Sequence, residues 1–331
     1  MKIISPIPSG CGAYVLHKSL EAGIEGYRVW DYSPYWEYFP FALPLLRGGE
    51  KPDLVHTTPD HGLFFHRKGI PLVITAHHIV LDDFMQAYST PLQRLHYKTD
   101  LRCFTLASLK RASVVTSISM STAKMLRDEL GYDKDIRIIY NGIDTNRFLP
   151  PSVPPQKTGE IRVLFAGNLT RRKGANLLPA IASRLQPDVR IYYTRGLRKT
   201  SPLPALPNLI DRGYIPAEDM PALYRNADIL LFPTVREGFG LAAAEAMACG
   251  LPVVATDCSS LPELIDDGKG GFLCPLGDVG AFAEKINFLA ENPELRREMG
   301  DYNRAKVEKM FTMDRMVMQY RELFEEVVAK Q

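Results

Sequence analysis

Two glutamates and two glycines lie close together in the stretch Pro233 to Thr256, PTVREGFGLAAAEAMACGLPVVAT. Their types suit a ligand that carries both hydroxyls and negative charge. Glu237 and Glu245 are acceptor-only groups, which match sugar hydroxyls and not phosphate. Gly238 and Gly240 let a ligand approach the backbone. The N–H groups of a helix start, at the positive end of its dipole, favour phosphate or sugar oxygens. The run Ala242, Ala243, Ala244 keeps that helix surface low. N–H groups for an anion and carboxylates for hydroxyls describe the recognition of a sugar nucleotide.

Such groups need a strand and a helix to hold them. Ala227 to Phe232 is an apolar run that reads as a buried strand, and Leu241 to Ala248 is helix-forming. The order is therefore strand, glycine loop, helix. The Glu-seven-Glu spacing, the GFGL loop and the trailing EAMACGLPVVAT closely resemble the signature of glycosyltransferase family 4, the retaining group 1 glycosyltransferases of the GT-B fold. The resemblance implies an α/β chain of two Rossmann-like domains facing each other across a cleft, with a last helix crossing back to the first domain.

Size and composition agree with that expectation. The 331 residues, 46% of them hydrophobic, suffice for two ordinary α/β domains. Lysine and arginine number 40 against 38 acidic residues, spread evenly, which leaves no nucleic-acid footprint. The five cysteines, Cys11, Cys103, Cys249, Cys258 and Cys274, are odd in number and form no Cys-x-x-Cys pair. Neither a disulfide framework nor a zinc site is expected, and the expected compartment is the reducing cytoplasm. Peripheral association with the inner face of the membrane and the oligomeric state are left open. Met1 to Gly12 is interrupted by Pro6 and Pro8, which does not suit a signal peptide, and no window approaches the roughly 18 apolar residues of a membrane span.

In the first half, Lys2 to Ser5 reads as a strand, and Gly10 and Gly12 follow it. Taken alone they are turn chemistry; the resemblance sets them facing the donor phosphates and the acceptor. Tyr27 to Phe41 crowds Trp30, Tyr32, Tyr35, Trp36, Tyr38, Phe39 and Phe41 into one segment. That density suits a sugar-stacking or lipid-facing surface, but an aromatic loop packed over its own domain is the preferred expectation. Pro71 to Ala76 reads as a strand running into His77, which by the resemblance contacts the donor sugar near the reacting carbon. Asp82 and Asp83 just beyond read as solvated acids.

Pro91 to Arg111 is helical by period, with Leu92, Leu95, Leu101, Phe104 and Leu109 on one side. An ordinary crossover helix is preferred over a basic amphipathic helix for a membrane surface. Asp133-Lys134-Asp135 matches an Asp-x-Asp metal pattern only superficially, since it sits in a hydrophilic turn, and no metal site is expected. Pro150 to Pro155 reads as a stiff linker. The expected domains are 1–150 for the acceptor, 151–310 for the donor, and 311–331 as the returning helix.

The second half opens with a strand, Ile161 to Ala166, followed by Gly167 to Gly174, GNLTRRKG. Cations at such a turn suit a diphosphate, with arginine binding bidentately and lysine acting as a point charge. The resemblance assigns Lys173 to the phosphates and expects an arginine where Asn168 stands. Asn168 donates a hydrogen bond without neutralising charge, so Arg171 or Arg172 is left to supply the cation. Tyr214, within Asp211 to Ile215, lies beside the nucleobase by the same resemblance, and no residue there names the base.

The roles implied are these. Lys173, one of Arg171 and Arg172, and the backbone around Gly238, Phe239, Gly240 and Leu241 stabilise charge on the departing diphosphate. Glu245 binds ribose hydroxyls and Glu237 donor sugar hydroxyls, with Gly12 and His77 opposite. Retention follows from the family alone, without a protein nucleophile, and no metal or cofactor is expected. The expected reaction is hexosyl transfer from a UDP-, GDP- or ADP-sugar to a glycan or lipid-linked acceptor, in cell-envelope or polysaccharide biosynthesis. Two alternatives use the same residues: a sugar-nucleotide epimerase, phosphorylase or hydrolase, or a non-catalytic sugar-nucleotide-binding subunit.

Overall fold

The computed structural model describes all residues except 11, 48, 50, 80, 82, 87, 153–158, 197–201 and 331. Asp82 and the second half of the proline linker therefore lie outside the described residues. Short Val-, Ile- and Leu-rich runs bury both faces only when helices cover a parallel sheet on two sides. The chain builds two such sheets, in two compact units: Met1–Gly142 with Met313–Gln331, and Ile143–Thr312.

The first unit contains β1 (Ile3–Pro8), β2 (Tyr27–Tyr32), β3 (Leu54–Thr57), β4 (Leu72–Ala76), β5 (Val114–Ser117) and β6 (Ile136–Ile138). They pair in parallel in the order β2-β1-β3-β4-β5-β6. The chain turns to opposite sides of β1 to make β2 and β3, so the loop carrying Gly10 and Gly12 leaves the sheet where the winding reverses. In an open α/β sheet ligands bind at such a reversal, beyond the carboxyl ends of the strands.

The second unit contains β7 (Ile161–Phe165), β8 (Val189–Arg195), β9 (Leu209–Tyr214), β10 (Ile229–Phe232), β11 (Val253–Thr256) and β12 (Gly271–Cys274). Their order is β12-β11-β10-β7-β8-β9, again all parallel. Winding reverses between β7 and β10, and the loops after these strands are Gly167 to Gly174 and Pro233 to Gly240. Val163, Phe165, Ile229 and Leu231 fill the core beneath one face of that sheet.

A chain of buried polar groups runs through the first unit. His17 Nδ1 lies 2.7 Å from Ser5 Oγ and 2.8 Å from the Tyr27 hydroxyl, and that hydroxyl is 2.7 Å from His56 Nδ1. His56 Nε2 meets Thr75 Oγ1 at 2.6 Å, and Thr75 meets Thr116 Oγ1 at 2.7 Å and the Tyr320 hydroxyl at 3.2 Å. Tyr320 comes from the last helix, Met313–Ala329, which also sets Phe324 against Tyr27. Burial keeps His17 and His56 well below the ordinary imidazole range, with neighbouring imidazoles adding to the effect. Hydrogen bonds meet most of the polar demand of this core without charge, and His17 Nε2 is left without a partner among the described residues.

Two expectations about the first unit do not hold. Of the aromatic side chains from Trp30 to Phe41 only Tyr32 is buried; Tyr35, Tyr38 and Phe39 are exposed, and Phe41, though edge-on to Phe64 and Phe104, is 80% exposed. Leu92 and Leu95, on the apolar side by period, are also exposed, and only further along the helical stretch are Leu101 and Leu109 buried. Helical period predicts which side chains share a face; whether a neighbour covers that face depends on the tertiary fold.

Candidate functional site

The loops that follow β7 and β10 are stitched together. Arg172 accepts the Val235 N–H on its carbonyl at 2.9 Å, and the Thr234 hydroxyl lies 3.0 Å from the same oxygen. Gly174 has φ of +74° and passes so close to β10 that a Cβ on it would lie 2.0 Å from the Pro233 carbonyl oxygen. Only glycine fits both the conformation and the gap. This approach brings Lys173 Nζ to 2.5 Å from Glu237 Oε1, with the Thr234 hydroxyl 2.9 Å from that oxygen.

Glu237 is buried at 8% exposure. Burial pushes its carboxyl up, but Lys173, then Arg172 and Thr234, pull harder, and the net position is below the ordinary carboxylate range. It is a carboxylate held by a cation. Its backbone is fixed as well: the Glu237 N–H donates to Ser259 Oγ at 2.9 Å, and the Ser260 hydroxyl donates to the Glu237 carbonyl at 3.2 Å. Ser259 has φ of +49°, the one non-glycine residue in the left-handed region among those described. Strain of this kind persists where surrounding structure enforces it; here it points the hydroxyl at the loop.

Asn168 does not replace the expected arginine as a cation, and its Oδ1 is enclosed without a hydrogen bond among the described residues. A Cβ on Gly196, just after β8, would meet that oxygen at 1.8 Å. Of the two arginines left open, Arg172 is part-buried, its guanidinium donates to the Arg236 carbonyl at 3.3 Å, and its charge acts on Glu237. Arg171 is exposed. Of these two arginines, Arg172 is the one built into the loop beside Lys173.

Gly240 caps the helix Leu241–Ala248 with φ of +101°, and Leu261 and Leu264 would crowd a Cβ there. The first N–H groups of a helix have no partner within it. Phe239 beside it is buried, edge-on to Phe311 at 5.5 Å. Glu245 lies one turn further on and accepts from the Tyr224 hydroxyl at 2.9 Å. Burial raises its carboxyl to about 7, against the pull of Tyr224 and Arg147. Tyr224 is fully buried, and neither it nor the serine pair was named from the sequence: each is brought in by the fold from about twenty residues away.

The raised Glu245 carboxyl has a sign that can be checked. The folded chain keeps its proton between the unfolded value near 4.5 and about 7, so stability falls as pH rises through that window. Glu245→Gln keeps the acceptor for Tyr224 and removes the ionisation. The variant should match the parent near pH 4 and exceed it at pH 8 by up to about 3 kcal/mol. Thermal midpoints against pH measure this; parallel curves would show that the Glu245 carboxyl titrates in the fold as it does in the unfolded chain.

Tyr214 closes β9 and is 56% exposed, following Gly213, whose N–H donates to Asp211 at 2.8 Å. In the first unit, Gly10 has φ of +74° and Gly12 begins the helix Gly12–Gly23; a Cβ on either would meet nothing within 4 Å. His77 follows β4, its ring 5.5 Å from that of His17. Burial lowers it to about 4, and its Nε2 has no hydrogen bond among the described residues. It is a neutral imidazole whose buried Nε2 is left without a partner, a group that suits a hydroxyl and not the neutralising of a phosphate. Asp133 and Asp135 are exposed, and among the described residues no three His, Cys, Asp or Glu side chains are grouped as metal ligands.

Comparison with known proteins places this geometry. A family model described as Glycosyltransferase Family 4 matches residues 15–147, and one described as Glycosyl transferases group 1 matches residues 160–292. N-acetyl-alpha-D-glucosaminyl L-malate synthase of Bacillus anthracis is 23% identical, covering 93% of this chain and 84% of that protein. Alpha-maltose-1-phosphate synthase of Mycolicibacterium smegmatis is 27% identical, covering 87% and 82%. Among solved structures, sucrose-phosphate synthase from Thermosynechococcus elongatus superposes with a TM-score of 0.83 at 21% identity, covering both chains completely. Anabaena HepE in complex with UDP and glucose gives 0.79 at 19% identity, covering 98% of this chain and 99% of that one.

Proposed function

Since this chain belongs to glycosyltransferase family 4 and has its two-unit GT-B fold, we propose that it transfers a hexose from UDP-sugar to a glycan or lipid-linked acceptor, with retention and without a metal. That it is a glycosyltransferase follows from its relatives; the donor, the stereochemistry and the acceptor are the proposal. UDP is favoured because HepE is solved with UDP, with UDP and glucose, and with UDP-glucose. Retention is supported by the family.

The observation that carries the reading is the Lys173–Glu237 pair, held between the two loops where the second sheet reverses its winding. Loss of a nucleoside diphosphate from an anomeric carbon builds negative charge on the departing phosphate. Fixed donors aimed at that charge accelerate the step. Lys173 and Arg172 supply cations, and the amides at Gly240 and Leu241 supply N–H groups. Glu237 serves twice: it fixes the ammonium, and its second oxygen remains as an acceptor for a sugar hydroxyl. Glu245, ionised when a ribose hydroxyl donates to it, binds the nucleoside. His77, neutral, is the first unit's own candidate for a hydroxyl. The acceptor hydroxyl attacks on the face from which the diphosphate leaves, so no protein nucleophile is assigned.

Thermal unfolding against UDP, GDP, ADP and dTDP and their sugars, each with and without chelator, tests the donor. Ligand at a hundredfold its dissociation constant adds about 2.7 kcal/mol, which for a chain of this length moves the midpoint by about 4 °C. The expected result is a shift with UDP and UDP-sugar that chelator leaves unchanged. A shift confined to another base, or one abolished by chelator, overturns the corresponding part of the proposal.

A further inference from the structure

The first unit carries an apolar ledge that its own fold does not cover. Tyr38, Phe39, Phe41 and Leu45, from the 3-10 turns Pro34–Tyr38 and Pro40–Arg47 and the residue between them, are between 70% and 82% exposed. Leu92 and Leu95, from the helix Pro91–His96, are 77% and 60% exposed. The first segment meets the continuation of that helix: the Phe41 ring stands edge-on to Phe104 at 6.1 Å, and Phe104 lies on Arg102–Arg111, which follows Pro91–His96 through Tyr97–Leu101. Scattered surface leucines are ordinary, but large side chains concentrated on one turn segment and on the helical stretch it packs against mark a contact surface.

Charge decides what the surface meets. From 91 to 111 the helical stretch bears Arg94, Lys98, Arg102, Lys110 and Arg111 against a single acid, Asp100. Asp100 is engaged by His96 Nδ1 at 2.9 Å, while Arg94 and Lys98 are exposed beside the two leucines. A second copy of this chain, docked through the same ledge, would bring like charges together. A bilayer with anionic headgroups offers the leucines and phenylalanines an apolar layer and the basic side chains their counter-charge. Tyrosine rings with a polar tip, such as Tyr35 and Tyr38, suit the headgroup level.

We propose that this ledge docks the first unit onto an anionic lipid bilayer, with Leu92 and Leu95 inserted and Arg94 and Lys98 against the headgroups. Among the described residues no helix is long and apolar enough to cross a membrane, so the contact lies in the interface. This goes beyond the donor chemistry and does not depend on it.

Sedimentation with vesicles of phosphatidylcholine, with and without phosphatidylglycerol, tests the proposal. The protein should bind the anionic vesicles, less so at high salt, and Leu92→Glu with Leu95→Glu should weaken that binding about tenfold or more. Both positions are exposed, so the thermal midpoint and its shift with nucleotide should stay unchanged in the variant. That nucleotide shift reports separately on the transferase reading. Absence of vesicle binding, equal binding to both lipids, or unaltered binding by the variant overturns the proposal. So does a concentration-dependent dimer, formed without lipid and abolished by the same substitutions, which would make a second copy the occupant.

Discussion

Lys173→Ala should lower turnover by about 10² to 10³-fold, the usual cost of removing one donor from charge stabilisation in a transition state. It should also destabilise the fold. Both partners are less than a fifth exposed, so the substitution leaves a buried carboxylate without its cation. That situation costs about 3 kcal/mol or more. The pH dependence separates the two effects. In the parent, Glu237 is depressed below its unfolded value, so its contribution to stability is present above that value and is lost as pH falls through the folded one. The stability penalty of Lys173→Ala is therefore full at pH 7 and fades on acidification, as Glu237 takes up a proton. Combining Lys173→Met with Glu237→Gln replaces the ion pair by neutral groups of similar shape and should restore stability while turnover stays low. Urea unfolding at several pH values, together with initial rates, checks both parts. Turnover restored in the double variant would mean that Lys173 only neutralises Glu237.

Gly174→Ala should be nearly as damaging to turnover although it removes no functional group. The added methyl would fall 2.0 Å from the Pro233 carbonyl oxygen, on a backbone at φ of +74°. Backbone cannot yield as a flexible side chain does, so the loop must move, and Lys173 immediately before it must move as well. A displacement of about 1 Å at a catalytic group costs on the order of a hundredfold in rate, and the strain should cost about 2 kcal/mol. Gly69→Ala is the control, because Gly69 has the same φ with nothing within 4 Å and carries only the left-handed penalty, about 1 kcal/mol. Equal stability losses and unaltered turnover in the two variants would show that the close approach at Pro233 does not position Lys173.

Much of the second unit was legible because its signals are local. Apolar runs, one ending before Gly167 and the other at Pro233, identify β7 and β10, and the helix Leu241–Ala248 begins and ends where the residues from Leu241 to Ala248 say it should. The nearness of Lys173 to Glu237 was only implied, since 64 residues separate them and the contact depends on sheet order. The choice between Arg171 and Arg172 was not available from composition, because both are arginines one position apart. Strand pairing turns one toward Arg236 and the other toward solvent. Tyr224 and Ser259 gave no signal, since a tyrosine in a helix and a serine in a turn are commonplace until a carboxylate and a loop amide are set beside them. Leu92 and Leu95 were misread for the opposite reason: their spacing is that of a buried face, but the partner the spacing implies is not supplied by this unit.

The first unit is assembled from both ends of the chain, and this sets an order of events during synthesis. Residues 143–312 form a continuous unit, whereas the first unit needs Met313–Gln331 to be complete. A chain emerging from the ribosome at roughly 5–20 residues per second ordinarily folds its amino-terminal part first. Here the later-made unit has all its segments earlier. Until Tyr320 arrives, Thr75 lacks one of its hydroxyl partners, and Tyr27 and His56 lack the Phe324 ring that packs beside both. The nascent first half must therefore wait, with part of a buried polar chain open to water, for the final helix to be translated.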